Sequence, residues 1–570
     1  MSRSQDSGAY PGRRIFLFLC MGLAAVTLVW RAVDLQVLDN GFLQNQGDAR
    51  HLRVVSLPAH RGMIRDRNGE PLAVSTPVES VWVNPQELGN EQQRIPELTR
   101  VLQLDRDHVQ HLLASRADKE FVYLRRHVSP ALAEQVAALK IPGVYLQREY
   151  RRYYPAGEVA AHIVGFTNID DVGQEGLELA YEEWLRGVAG AKRVIKDGKR
   201  NIVEDVESIK RPRAGKDLVL SIDRRIQYLA YRELKAVMQE HKARSATAVV
   251  LDVKSGEVVA MVNQPSFNSN NRQKLRSSHM RNRAITDVFE PGSTMKPFIV
   301  AAALESGRYQ SGSPVSTSPG WMRVGVNTVR DVHDYGQLDV AGVIRKSSNV
   351  GITKIALSLP AEDIWGLLSE LGFGAQTFSG FPGEASGLLS HFGGWNAIET
   401  ATLAYGYGIS VTALQLAQAY AVLATDGIKR PVSFLQVDET VEERRILSAS
   451  VVREVRAMLE QAVGPEGTAP AARVAGYRVA GKTGTVKKSV AGGYAKNRYL
   501  AVFAGMAPVS DPRLVMVVMV DEPANGKYYG GQVAAPVFSQ VMSGALRLMN
   551  VPPDDVPLLH TQLEEAGEPA

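Results

Sequence analysis

The 570-residue sequence predicts an α+β fold, and three features predict it. Strand-like runs open and close the C-terminal part: residues 246–252 with 258–263, and 499–507 with 514–521. Between them lie apolar segments at helical spacing, so helices should pack on a sheet closed by its own terminal strands. Ahead of this part stands an Arg-rich stretch of different composition, and the length alone calls for two or more domains.

Composition excludes several classes. With 45% hydrophobic and 22% charged residues, the chain is ordinary folded protein. A net charge of +5 without a long basic run leaves no nucleic-acid footprint. Cys20 is the single cysteine, so neither a disulfide framework nor a Cys-based zinc site forms within the chain. Scarcity of thiols suits an oxidising compartment. No His-Glu-x-x-His occurs; His108 and His111 can share a helical face but read as solvated surface.

Residues 15–30 are uncharged and mostly apolar, preceded by Arg13 and Arg14, and the pattern continues past Arg31 to Leu38. The strict core falls a little short of the ~20 residues that cross a bilayer, which Arg31 makes up by snorkelling. Trp30 suits the same boundary. No convincing cleavage site follows, and Leu19 is a poor neighbour for a lipidated Cys20. The reading is an uncleaved signal anchor over 15–38 after a cytoplasmic tail, 1–14. Arg3, Arg13 and Arg14 keep that tail inside, which puts the main domains outside the membrane and out of reach of ATP.

Residues 39–215 form the next predicted domain. Asn68-Gly69 marks a tight hairpin turn, while Ile95, Leu98 and Leu102, and the apolar residues of 130–139, fall at helical spacing. The charged Pro/Gly hinge 210–216 is the expected boundary. The domain 216–551 should begin with a strand over 218–222 and an amphipathic helix over 225–239. A hairpin then turns at Lys254-Ser255-Gly256-Glu257. From Pro552 the chain is Pro-rich and acidic, and 552–570 is expected to be a disordered tail.

Three short motifs on this domain carry chemistry. Ser293-Thr294-Met295-Lys296 follows the turn sequence Glu290-Pro291-Gly292 and precedes a buried helix that Gly307 stops. Pro297 is tolerable only in a first turn, so the helix should start at about Ser293, with Lys296 on the same face. A desolvated lysine there can take the serine proton. Ser347-Ser348-Asn349 sits at a junction between apolar helices. Ser347 can relay a proton between Lys296, Lys482 and a leaving amine, and Asn349 offers amide hydrogen bonds to a peptide. Lys482-Thr483-Gly484-Thr485 reads as strand: Lys482 and the two Thr hydroxyls can hold a carboxylate, and Gly484 lets another backbone come close. The N–H groups of Ser293 and Thr485 are candidates for an oxyanion hole. Residues 476–483 also fit Gly-x4-Gly-Lys-Thr, but no helix follows them, so a phosphate loop is rejected.

In order and flanks the three motifs resemble those of the class B high-molecular-weight penicillin-binding proteins, closest to the septal penicillin-binding protein 3 type. The flanks are residues 289–293, 405–412 and 530–538; the Arg61-Gly62 and 152–166 segments resemble the family's non-catalytic, dimerisation-type pedestal. The resemblance implies a penicillin-binding transpeptidase domain, an antiparallel sheet flanked by helices, on an elongated pedestal with one transmembrane helix. It implies a D,D-transpeptidase in which Ser293 is acylated by a stem peptide with loss of the terminal D-alanine. An amine of a second stem, the diaminopimelate side chain, then forms the cross-link. β-Lactams would acylate the same serine. No metal or organic cofactor is implied. Implied partners are a membrane glycosyltransferase and other division proteins at the bacterial inner membrane. With water as acceptor the same site would make a D,D-carboxypeptidase or β-lactamase. The same motifs would also suit a stress-specific paralogue, a β-lactam sensor or a division scaffold.

Overall fold

The computed structural model describes residues 11–35, 52–196, 202–273, 275–437, 442–490 and 492–555. The first element is the helix Pro11–Val33, whose apolar stretch Gly12–Val33 has 22 residues, a mean hydropathy of 2.1 and no buried share. At 1.5 Å per residue it is about 33 Å long, enough for a hydrocarbon layer of ~30 Å. It thus takes in Arg13 and Arg14 and ends before Leu38. Residues 1–10 of the expected tail and 36–38 of the expected anchor lie outside the described residues.

The chain divides into two compact units. One comprises 1–60, 78–149 and 187–214; the other comprises 61–77, 150–186 and 215–570. In the first, the helix Ile95–Leu102 buries the Ile95, Leu98 and Leu102 that its spacing singled out. Asp105 caps the helix Arg106–Ser115 through the His108 N–H, and Ser129 caps Pro130–Leu139. These helices close with the strand Val122–Val128 on a small core around Val81, Val83 and Val136. A separate antiparallel sheet joins Leu52–Leu57, Gly190–Lys196 and Ile202–Lys210.

The second unit holds segments that a linear division at residue 215 assigns elsewhere, and the reason is buried charge and a shared core. Arg61, 2% exposed, places Nε 2.7 Å from Glu178 Oε2 and Nη1 2.6 Å from Glu182 Oε2, while Arg152 Nε lies 2.6 Å from Glu178 Oε1. The Asn68-Gly69 turn forms, and its Asp66 accepts from the N–H groups of Asn68, Glu70 and Arg224. Deleting one member of a buried ion network leaves an uncompensated charge at a cost of about 3–5 kcal/mol. This network ties 61–77 to 150–186, and both join the chain from 215 onward through Asp66 and Arg224 and through a core that Ile64, Leu72, Tyr154 and Leu177 share with Val249 and Phe298. The strand expected over 218–222 shortens to Leu218–Val219 and pairs in parallel with Ile64–Arg65, outside the large sheet.

That sheet runs in the order Val258–Gln264, Ser245–Asp252, Leu514–Asp521, Gly493–Ala507, Ala480–Val490, antiparallel throughout. Ser245 faces Asp521 and Asp252 faces Leu514, so the unit's two ends close the sheet as the sequence predicts. All eight residues of both central strands are buried. Side chains alternate across a strand, so each face needs a cover. Ala248 and Val250 meet the helices Arg224–Glu240 and Gly530–Leu548; Val249 and Leu251 share a core with Ala413–Ala424. Of the tail expected over 552–570, residues 552–555 are described and are tied to the domain. Asp554 accepts the Arg478 N–H at 2.7 Å and the Ser510 N–H at 3.0 Å, and the Asp555 N–H reaches Gly476 O at 3.1 Å. Residues 556–570 lie outside the described residues.

Candidate active site

Ser293 does not open the α-helix, as the sequence led us to expect. It lies in a 3₁₀ turn, Gly292–Met295, and the α-helix Lys296–Glu305 follows with Pro297 in its first turn. The difference matters, because side chains at i and i+3 eclipse in a 3₁₀ turn. Ser293 and Lys296 thereby fall on the same face of the turn. Residues 296–304 are all buried, so Lys296 is 0% exposed in an apolar helix, while Ser293 is half-buried. Neither Ser293 Oγ nor the Ser293 N–H has a hydrogen-bond partner among the described residues.

Ser347 ends the helix Val340–Lys346 in the left-handed region, φ 59 and ψ 39. Ser348 then caps the helix Asn349–Leu357 by accepting the Gly351 N–H at 2.8 Å. This reversal folds Ser347 and Asn349 around one ammonium. Lys296 Nζ donates to Ser347 O at 2.6 Å and to Asn349 Oδ1 at 2.8 Å, and lies 3.2 Å from Ser347 Oγ. A carbonyl oxygen only accepts, so two N–H bonds of the lysine are committed and its remaining position faces hydroxyl. Burial pushes Lys296 well below the ordinary lysine value, and the Lys482 charge adds to it; Asp331 opposes. The neutral amine is the form this environment favours.

The strand Ala480–Val490 is the sheet edge and supplies the third wall. Lys482, 0% exposed, donates to Ser347 Oγ at 2.9 Å, and burial pushes it down to about 7. One hydroxyl thus bridges two lysines. Thr483 Oγ1 pairs with Thr468 Oγ1 at 2.9 Å, and Thr485 Oγ1 accepts the Gly530 N–H at 3.0 Å, which leaves its own O–H to donate. At Gly484 a Cβ would stand 2.9 Å from Pro291 O and 3.2 Å from Thr294 Cγ2; the expected close approach is to the serine turn itself. Behind that turn, a Cβ on Gly406 would stand 2.1 Å from Gly292 O. Because the chain continues as strand to Val490, residues 476–483 build no phosphate loop.

Direct bonds join Lys296, Ser347, Asn349, Lys482 and Thr483, and contact with Gly484 brings in the Ser293 turn. Three supports were not read from the sequence. Asp331 accepts from Ser348 Oγ and from the Val350 N–H at 3.0 Å, so its carboxylate holds the N-terminus of the Asn349 helix. Tyr420, fully buried, donates to Thr294 O at 2.9 Å and fixes the serine turn from below. Thr468 backs Thr483. None of the three carries a local sequence signal, since each acts on a motif remote from it in the chain.

Comparison with known proteins shows the family. The family model for the penicillin binding protein transpeptidase domain matches residues 246–543, and that for the penicillin-binding protein dimerisation domain matches 56–220. The chain is 44% identical over 540 residues to the peptidoglycan D,D-transpeptidase FtsI of Escherichia coli K12, covering 94% of this chain and 91% of that one. It is 43% identical over 544 residues to the probable peptidoglycan D,D-transpeptidase PbpC of Pseudomonas aeruginosa, covering 95% and 96%. Among solved structures, it is similar to the apo transpeptidase domain of Burkholderia pseudomallei penicillin-binding protein 3, with 44% identity and a TM-score of 0.55 over 59% of this chain and 97% of that one. A peptidoglycan synthetase of Bifidobacterium adolescentis aligns over 89% of this chain and 98% of its own, with 25% identity and a TM-score of 0.70. The chain belongs to the penicillin-binding proteins, with the dimerisation and transpeptidase domains of that family.

Proposed function

We propose that this protein is a serine-type peptidoglycan D,D-transpeptidase that cross-links stem peptides at the division septum and is acylated by β-lactams. The observation that carries the reading is the Ser347 hydroxyl, 3.2 Å from Lys296 Nζ and 2.9 Å from Lys482 Nζ beside the serine turn. Ser293 Oγ attacks the penultimate D-alanine carbonyl, and its proton passes to the lone pair of Lys296. The N–H groups of Ser293 and Thr485 receive the developing oxyanion. Lys482 with the Thr483 and Thr485 hydroxyls holds the terminal carboxylate, while Asn349 and Gly484 border the peptide. Ser347 carries a proton on to the departing D-alanine amine, and an amine of a second stem then takes the acyl group from Ser293.

The apolar helix Gly12–Val33 supports a single-pass anchor in the inner membrane, with the N-terminus cytoplasmic and the catalytic domain periplasmic. In the same reading, residues 39–215 are the pedestal and 216–551 the transpeptidase domain, and the partners are a membrane glycosyltransferase and other division proteins. A test is labelling of the detergent-solubilised protein with fluorescent penicillin. Wild type should be labelled covalently and Ser293→Ala should not; equal labelling would remove the nucleophile assignment. The same site would also suit a stress-specific paralogue of the septal enzyme. Depletion under ordinary growth separates the two: filaments mark the septal enzyme, and unchanged cells mark the paralogue.

A further inference from the structure

A second recess opens beside the serine turn. It holds about 340 Å³ and is lined by Glu290, Ser410, Val486, Lys487, Ser489 and Leu500 among others. Glu290 leads Ser293 by three residues, and Lys487 follows Thr485 by two, so the recess is bordered by both strands of chain that flank the nucleophile.

Two charged side chains of this recess, Glu290 and Lys487, have no ion-pair partner among the described residues. Glu290 Oε1 accepts from two neutral donors, the Gly408 N–H at 2.9 Å and the Tyr494 hydroxyl at 3.0 Å. Oε2 is buried without a partner, and Glu290 makes no ion pair among the described residues. Buried carboxylate oxygens are ordinarily paired in folded proteins, so its persistence calls for a reason. Lys487 Nζ likewise has neither a hydrogen bond nor an ion pair among the described residues, whereas its neighbour Lys488 is engaged by Asp521 and Glu522. Tyr494 is 48% exposed, so an incoming cation can displace its phenol from Oε1.

We propose that this recess is the acceptor subsite, in which Glu290 binds the ammonium and Lys487 the carboxylate of an α-amino-carboxylate group on the second substrate. The inference rests on the transpeptidase reading above and specifies its acceptor. A zwitterion with both charges on one carbon matches one lone carboxylate and one lone ammonium lining the same space; an uncharged nucleophile such as water gains nothing from either. The step forms an amide C–N bond and breaks the bond between Ser293 Oγ and the acyl carbon. Of the three protons on the acceptor ammonium, one goes to solvent, one to Ser293 Oγ, and one stays on the amide.

The test uses the full chain in detergent with a thioester donor that acylates Ser293. The acceptor is either D-alanine or methylamine. The readout is the ratio of amide product to hydrolysis product, so any loss of acylation divides out. A charge-assisted hydrogen bond corresponds to about tenfold or more. Glu290→Gln should lower the ratio with D-alanine by about that factor. Glu290→Asp, which keeps the charge, should recover part of it. Lys487→Ala, at an exposed position, should abolish the preference for D-alanine over methylamine. Wild-type ratios in Glu290→Gln and Lys487→Ala would overturn this inference alone. A wild-type protein that forms hydrolysis product but no amide with any acceptor would remove both it and the transpeptidase reading.

Discussion

Lys482 donates to Ser347 Oγ at 2.9 Å across 135 residues of sequence. Both groups are held by rigid elements, a sheet edge and a junction of two helices, so their separation is set by the fold and not by side-chain choice.

This contact predicts a pH profile. Burial holds the Lys482 value at about 7, far below the unfolded 10.5, so the folded protein binds fewer protons than the unfolded chain between those values. Stability should therefore rise with pH from about 7 toward 10.5 on account of this group. Activity should move the opposite way: carboxylate capture needs the charged form, and acylation by penicillin should fall as pH rises through about 7. Stopped-flow labelling across pH 5–9 (roughly the range free of acid unfolding) checks this. Lys482→Arg, always charged, should shift the alkaline limb upward.

Ser347→Ala removes the hydroxyl shared by both lysines while leaving the Ser347 carbonyl that holds Lys296. The second-order rate of acylation should fall by about 10²–10⁴, the usual worth of a positioned proton relay. Thermal unfolding measured alongside should move by no more than a few degrees, because Ser347 is only half-buried.

Gly484→Ala places a methyl 2.9 Å from Pro291 O, against backbone that Tyr420 holds in place. The serine turn must give way, at about 1–3 kcal/mol of stability. Penicillin acylation should drop more than tenfold, by the measure that misplacement of about 1 Å costs about a hundredfold. Retention of the wild-type rate would mean that the turn and the strand are not in register.

Asp331→Ala removes the carboxylate from the N-terminus of the helix that carries Asn349 while its Ser348 cap stays, at about 0.3–2 kcal/mol in urea unfolding. It also removes the charge that raises Lys296, so Lys296 should titrate lower still, and the acid limb of acylation should shift toward lower pH.

Glu178→Ala leaves Arg61 and Arg152 buried without their shared carboxylate. Unfolding free energy should fall by about 3–5 kcal/mol. A nearly neutral result would show that water replaces the carboxylate.

The sequence made much of the site legible. Hydrophobic periodicity located the helices and the terminal strands because each is buried on defined faces, and the three motifs stand out because their residue types are unusual at those spacings. Asp331, Tyr420 and Thr468 were not legible, since an aspartate, a tyrosine and a threonine become informative only once tertiary folding sets them against remote motifs. The placement of 61–77 and 150–186 was hidden for a related reason. Arg61 and Glu178 read as surface charges until the fold shows them buried together. The 3₁₀ start of the Ser293 helix was missed because Pro297 constrains where a helix begins but not which turn type leads into it.

The glycines around the nucleophile have a mechanical consequence. At Gly484 the strand backbone meets Pro291 O, and at Gly406 another backbone meets Gly292 O, each at a distance that excludes even one methyl group. Main chain presses on main chain from two sides, with no flexible side chain between to absorb a displacement. The serine turn is thus the fixed jaw of the cleft. An acyl donor that binds imperfectly has to shift its own carbonyl toward Ser293, because Ser293 has nowhere to go.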